Sequence, residues 1–301
     1  MKKTKTTLFS GILILCILSF FWGNSTTKES SGQWPRRVLI TNDDGIDTVQ
    51  IGELARAFAK VAQTYVIAPH KDRSGSSHYI SSNQRSLVVE KRNLGEGIMA
   101  YAVKGYPADC VLLALSGIMK DNPPDLVISG VNTGPNIGPS WMWSGTIGAA
   151  RVASFAGFPA IAVSGLYEKI PEAVASVTRW VVRLAQSPVV RSLEKGQFLA
   201  VSFPIRHPAK IKGVRLAQIA ETGATKYFFE KSDKPSEEGR EVWKLKRSTR
   251  PGYSPPSYTD VALYREGYIV ITPMRADEQD MVLFKHLEDN LKKLPEWPPK
   301  K

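Results

Sequence analysis

Short apolar runs alternate along the chain with longer stretches in which apolar residues recur at helical spacing. Residues 38–41 (Val-Leu-Ile-Thr) read as a buried strand that runs straight into the turn Asn42-Asp43-Asp44-Gly45. Ile51, Leu54, Ala55, Phe58 and Val61 then follow at helical period, with Glu53, Arg56 and Lys60 on the opposite side, which predicts an amphipathic helix. Residues 65–68 are a second apolar strand, closed by Pro69. Pro107 suits the first turn of a helix carrying Ala108, Val111, Leu112 and Leu115. A strand at 125–129 ends in a Gly/Asn-rich loop, and a helix over 145–155 leads to a strand at 160–164. Ala173, Val174, Val177, Val181 and Leu184 mark a further helix, and 198–203 a further strand.

Strands that alternate with helices in this way predict βαβ units. The fold expected is α/β and doubly wound, with a mainly parallel sheet and helices on both faces. Beyond Pro204 the alternation fails. Residues 214–219 and 240–246 look like strands with no helix between them, so 205–260 is expected to form a protruding β-hairpin extension. The core pattern returns with a strand at 268–272 and a helix near 282–294, before a Pro-rich tail at 295–301. A single domain over 35–294 is expected.

The N-terminus does not share this pattern. Lys2, Lys3 and Lys5 precede an apolar run over 8–22 that gives way to Gly23, Asn24 and Ser25, the order of a secretory signal. The run is short for a helix crossing about 30 Å of hydrocarbon. Residues 1–25 therefore read as a signal peptide, with an N-terminal membrane anchor as the alternative, and 26–34 as a polar linker. Lipidation at Cys16 is disfavoured by the large Leu15 before it. The expected location is the periplasm or cell envelope. Without that segment Cys110 is the sole cysteine, so no internal disulfide forms, and it reads as a small buried hydrophobe.

A net charge of +12 favours anionic partners. The basic residues are dispersed, and no zinc-finger spacing or RNA-binding signature occurs, which argues against a stable nucleic-acid complex. Candidate chemistry collects in three loops beyond predicted strand ends, where open parallel sheets bind ligands. Asp43 and Asp44 are adjacent carboxylates that repel unless compensated, and a divalent cation with a preference for oxygen ligands would compensate them. An isolated Asp-Asp-Gly is also an ordinary solvated turn. The loop from Ser129 to Gly138 offers backbone donors with Asn132 and Asn136, suited to cradling phosphate or completing a metal shell. Ser144-Gly145-Thr146 opens a helix whose free amides attract anions, and Ser144 equally serves as an ordinary cap. Ser74 and Ser76 lie in the loop Arg73-Ser74-Gly75-Ser76-Ser77. No Gly-x-Ser-x-Gly elbow or Walker loop is present, the first strand does not lead to Gly-x-Gly-x-x-Gly, and the four histidines show no ligand pairing.

Taken in order, Leu-Ile-Thr-Asn-Asp-Asp-Gly (39–45), Ala-Pro-His-Lys-Asp-Arg-Ser-Gly-Ser-Ser (68–77), Gly-Tyr-Pro-Ala-Asp-Cys-Val (105–111), Ser-Gly-Val-Asn-Thr-Gly-Pro-Asn-Ile-Gly (129–138) and Ser-Gly-Thr-Ile-Gly-Ala-Ala (144–150) resemble the SurE family of survival-protein nucleotidases. The stretches Tyr258-Thr259-Asp260 and 267–273 resemble that family's C-terminal region. The resemblance implies a divalent cation, Mg²⁺ or Mn²⁺, held by Asp43, Asp44, Ser74 and Asn132. It implies phosphate received by Asn42, Asn136, Ser144, Gly145 and Thr146, with Asp43 and Asp44 as the catalytic pair. Hydrolysis of nucleoside 5′- or 3′-monophosphates is implied, as is a homodimer or homotetramer formed by exchange of C-terminal extensions. Tyr106, Trp143 and the run Arg151-Val152-Ala153 depart from the family pattern, which leaves substrate preference open. The export signal is also uncommon in the family, many of whose members are cytoplasmic. The alternative to an enzyme is a non-catalytic nucleotide- or metal-binding protein of the envelope.

Overall fold

The computed structural model describes residues 33–81, 86–166, 171–222, 225–232, 240–278 and 281–289. The segment read as signal or anchor (1–25), most of the linker and the tail lie outside the described residues. Among those described, no helix is long and apolar enough to cross a membrane.

The first strand, β1 (Arg37–Thr41), leads through the Asn42–Gly45 turn to α1 (Val49–Ala59) and β2 (Gln63–Pro69). Two strands that the sequence pattern does not announce follow: β3 (Val89–Arg92) and β4 (Ile98–Val103). Next come α2 (Pro107–Leu113), β5 (Leu126–Asn132), α3 (Gly145–Phe155), β6 (Ala160–Ser164), α4 (Pro171–Ala185), the short α5 (Pro188–Arg191) and β7 (Gln197–Ser202). The chain finishes with β8 (Val214–Leu216), β9 (Thr225–Lys231), β10 (Trp243–Thr249), α6 (Asp260–Glu266), β11 (Ile269–Arg275) and α7 (Met281–Asp289).

Nine of these strands form one sheet in the order β3-β4-β2-β1-β5-β6-β7-β11-β8. From β4 through β7 all neighbours are parallel, whereas β3 and β11 run antiparallel to β4 and β7. The continuous apolar runs of β1 and β5 follow from burial on both faces, since alternate residues point to opposite sides of the sheet. Val38 and Ile40 pack with Ile51, Leu54 and Phe58 of α1 and with Val177 and Val181 of α4. Leu39 points the other way, toward Val111 of α2 and Ile147, Ala150 and Ala153 of α3. The sheet is therefore doubly wound, as the alternation predicts. Truncating the fully buried Phe58 to Ala is expected to cost about 3–5 kcal/mol. Cys110 is wholly buried and free.

The chain builds outward from β1 through β2 to β4, then returns to place β5 on the other side of β1. The loops after β1 and β5 consequently leave the same edge on either side of a topological switch point, where a crevice opens.

The hairpin differs from expectation in its strands. Its partner to β10 is β9, registered from Trp243 opposite Lys231 to Thr249 opposite Thr225. Residues 214–216 instead add β8 to the main sheet, parallel to β11. The sequence conceals β9 because its apolar run is only the three residues Tyr-Phe-Phe, bracketed by charged residues. Tyr227, Phe229, Trp243 and Leu245 share one side of this ribbon and are all exposed. The final helix reaches Asp289, and residues 290–294 lie outside the described chain.

Candidate active site

The turn that follows β1 is shaped by Asn42. Its Nδ2 donates to Gly45 O (2.8 Å) and to Thr48 Oγ1 (3.2 Å), while its Oδ1 accepts from Gly45 N (3.2 Å). Asn42 is fully buried and both ends of its amide are committed to the turn, which holds Asp43 and Asp44 at the sheet edge.

Asp43 is almost entirely buried and points toward α3. Thr146 Oγ1 donates to its Oδ1 at 2.6 Å. Asp44 turns toward the loop after β5, where Thr133 N donates to its Oδ2 at 3.1 Å. Burial raises the pKa of Asp43 above the usual carboxylate range despite the bonds from Thr146. Burial, and then the neighbouring Asp43 charge, push Asp44 up to about 6. Asp72 adds to this repulsion at both groups.

The loop carrying Ser74 is tied to the same turn, because Arg73 N donates to Asp43 O at 2.7 Å. Ser74 itself bonds locally, its amide and its hydroxyl both donating to Asp72 Oδ1 at 2.7 Å. Ser76 is placed more pointedly than the sequence suggests: its hydroxyl is buried with no hydrogen-bond partner. A Cβ added at Gly145 would lie 2.8 Å from Ser76 Oγ and 3.0 Å from Asp43 Oδ2, so all three meet at one point. Tyr106 supports this loop from below, with the Arg73 guanidinium 4.6 Å from its ring centre and Tyr79 edge-on at 4.6 Å.

On the other side of the crevice, Gly130 takes a positive φ of 139°, and a Cβ there would lie 2.3 Å from Val163 O. Only glycine lets β5 bend into the loop at this point. Asn132 Nδ2 donates to Gly134 O (2.6 Å), and Asn136 Nδ2 donates to Ser164 Oγ (2.8 Å). The loop is also held from behind by Asp260, which accepts from Gly138 N (2.7 Å) and Ala220 N (2.9 Å). Asp260 was legible only as part of a resemblance, since nothing in its local pattern announces a buried carboxylate.

Ser144 caps α3 by accepting from Ile147 N at 3.1 Å. The helix start is pressed against the serine loop: a Cβ at Gly148 would fall 2.1 Å from Ser77 O. The first turn of α3, with its positive dipole end, therefore faces the carboxylate turn, and the Thr146 amide joins its hydroxyl in bonding Asp43. Arg151 adds no free charge to this end. It pairs with Glu278 and lies 5.0 Å over the Trp141 ring.

The structure thus brings Asp43, Asp44, Gly145 and Thr146 together, with Ser76 beside them. The loops of Ser74, Asn132 and Asn136 border the same crevice. Among the described residues no three His, Cys, Asp or Glu side chains could jointly hold a metal. The donor set available is two carboxylates with neutral serine and asparagine oxygens. That set suits a hard divalent cation, which would relieve the repulsion between the buried pair and give the orphaned Ser76 hydroxyl a partner.

The fold and site define a doubly wound α/β protein with a carboxylate pair and a helix N-terminus converging at the switch point. The family model "Survival protein SurE" matches residues 38–226, and the chain belongs to the SurE family. It is 36% identical over 258 residues to a "5'-nucleotidase SurE" of Roseobacter denitrificans, covering 80% of this chain and 94% of that protein. It is 32% identical over 243 residues to a "5'/3'-nucleotidase SurE" of Yersinia enterocolitica, covering 80% and 92%. The crystal structure of the SurE protein from Aquifex aeolicus superposes with a TM-score of 0.68 at 28% identity, covering 84% of this chain and all of that one.

Proposed function

We propose that this protein is a divalent-metal-dependent phosphomonoesterase that hydrolyses nucleoside 5′- and 3′-monophosphates to nucleoside and phosphate. The observation that carries the reading is the Thr146–Asp43 hydrogen bond, which joins the carboxylate turn to the N-terminus of α3. The nucleotidase names of the family relatives support the same reaction class.

Mg²⁺ or Mn²⁺ held by Asp43, Asp44, Ser74 and Asn132 would neutralise charge on phosphate oxygens. The chain's own groups account for the rest. Gly145 and Thr146, with Ser144 and Asn136, receive the phosphate, where the dipole of α3 favours negative charge. Thr146 donates to Oδ1 of Asp43; the carboxylate would orient an attacking water, take its proton as the new P–O bond forms, and return that proton to the ribose oxygen as its bond to phosphorus breaks. Direct attack by the carboxylate, giving an aspartyl-phosphate, is the competing route.

The test is phosphate release by residues 26–301 from nucleoside monophosphates, p-nitrophenyl phosphate and short polyphosphate, with and without Mg²⁺ or Mn²⁺. Metal-dependent release supports the enzyme and ranks its substrates. No release from a folded protein that still binds nucleotide would make it a non-catalytic binder.

Export belongs to the same reading, resting on the lysines and apolar run of residues 1–25. Cell fractionation with N-terminal sequencing of the mature protein separates cleavage from anchoring, and recovery in the cytoplasm would refute export. Homodimer or homotetramer formation is supported by the exposed apolar side of the hairpin ribbon. Light scattering that reports a monomer at micromolar concentration would refute it.

A further inference from the structure

A cleft of 670 Å³ lies between the loop after β5 and the root of the hairpin. One wall consists of Pro135 and Ile137, which flank Asn136, and of Trp143, which directly precedes Ser144. Asn136 and Ser144, two of the four residues assigned to the scissile phosphate, are thus chain neighbours of this wall. The opposite wall carries Lys226 and Tyr227 of β9, Arg250, and Arg265 of α6.

The three cations are exposed, and none forms an ion pair among the described residues. Arg265 is steadied by the Tyr253 ring, 5.3 Å from its guanidinium carbon. Trp143 and Tyr227 meet edge to face with ring centres 6.4 Å apart, and both remain about half exposed. Like charges lining one cleft repel each other, and a ligand with its own negative charge relieves that repulsion. The rings offer a stacking surface that a purely inorganic anion would leave unused. A nucleoside monophosphate would seat its single phosphate at α3 and leave these cations without an anionic partner.

The geometry points to a second anion subsite in this cleft, so that the preferred substrate is a nucleotide carrying a second phosphate, with its base against Trp143 and Tyr227. This inference rests on the phosphomonoesterase reading and deepens it by naming a substrate class. The volume lies within the usual range for small-molecule sites.

The experiment compares kcat/KM for adenosine 3′,5′-bisphosphate and adenosine 5′-monophosphate at saturating Mn²⁺. Loss of charge-assisted contacts to a second phosphate is worth roughly tenfold or more, so the bisphosphate should be favoured by about that factor. The ratio should fall toward one in the double variant Lys226→Ala, Arg250→Ala, whose exposed side chains are removed without opening the core. Equal kcat/KM for both substrates in the wild type, or a ratio unchanged in the variant, would overturn the subsite. Calorimetric Kd values for the same two ligands on Asp44→Asn carry the comparison without turnover. A binding preference on this variant, beside a wild type that releases no phosphate from either ligand, would refute the reaction and leave the subsite standing. Equal Kd values would refute the subsite alone.

Discussion

Thr146 Oγ1 donates to Asp43 Oδ1 at 2.6 Å, across 103 residues of sequence, with both side chains almost wholly removed from solvent. This one bond makes the carboxylate turn after β1 and the N-terminus of α3 parts of a single site. Thr146→Val keeps the shape and deletes the donor. It is expected to cost about 1–3 kcal/mol of stability, because a buried carboxylate loses its partner. Denaturant titration measures this, and phosphate release should fall with it. A variant as stable and active as the wild type would show the bond to be incidental.

Asp44→Asn should weaken Mn²⁺ binding and abolish turnover while the chain stays folded, since Asp44 lies at the sheet edge and outside both apolar clusters. Calorimetry with Mn²⁺ and far-UV circular dichroism check the two halves. An active variant that needs no metal would sink the assignment.

The same residue predicts a pH signature. Its pKa rises from 3.8 in the unfolded chain to about 6 in the folded one, by burial and then by the Asp43 charge. Between these values the folded state binds the extra proton. Asp44 therefore contributes stability in full below pH 3.8 and loses it as pH rises through about 6. In metal-free buffer, Asp44→Asn should gain stability relative to the wild type between pH 5 and pH 8. Saturating Mn²⁺ should erase that gain. Parallel thermal melts of the two proteins measure it, and a difference independent of both pH and metal would contradict the repulsive pair.

Gly148→Ala should be among the most damaging single-carbon changes in the chain. The added methyl would meet backbone atoms of Ser77 at 2.1 and 2.4 Å, which no side-chain rotation relieves. Overpacking of this kind typically costs about 1–3 kcal/mol. The expected result is a lowered Tm together with reduced phosphate release, because α3 and the serine loop must separate. An unchanged Tm would show that the contact yields freely.

Much of the core was legible because parallel strands buried on both faces read as unbroken apolar runs, as in residues 38–41 and 160–164, and because α1 keeps a clean helical stripe. What escaped had weaker local signals. Strand β3 is mostly exposed, and α6 begins with an aspartate whose burial comes from distant amides of Gly138 and Ala220. At the site, the Asp-Asp-Gly turn and the Ser144 cap were readable from residue types and spacing. The separate duties of Asn42, Ser74 and Ser76 were not, because each depends on which atom faces the crevice. Asn42 spends its amide on the turn, Ser74 bonds to Asp72, and the Ser76 hydroxyl is left without a partner beside Asp43.

The backbone contact between Gly148 and Ser77 also restricts how the sequence can drift. A loop and a helix 71 positions apart touch where neither has an atom to spare, so substitutions in one are filtered by the geometry of the other. Variation that retunes substrate choice must therefore accumulate elsewhere, on surfaces such as the hairpin root, where side chains change without disturbing that seam.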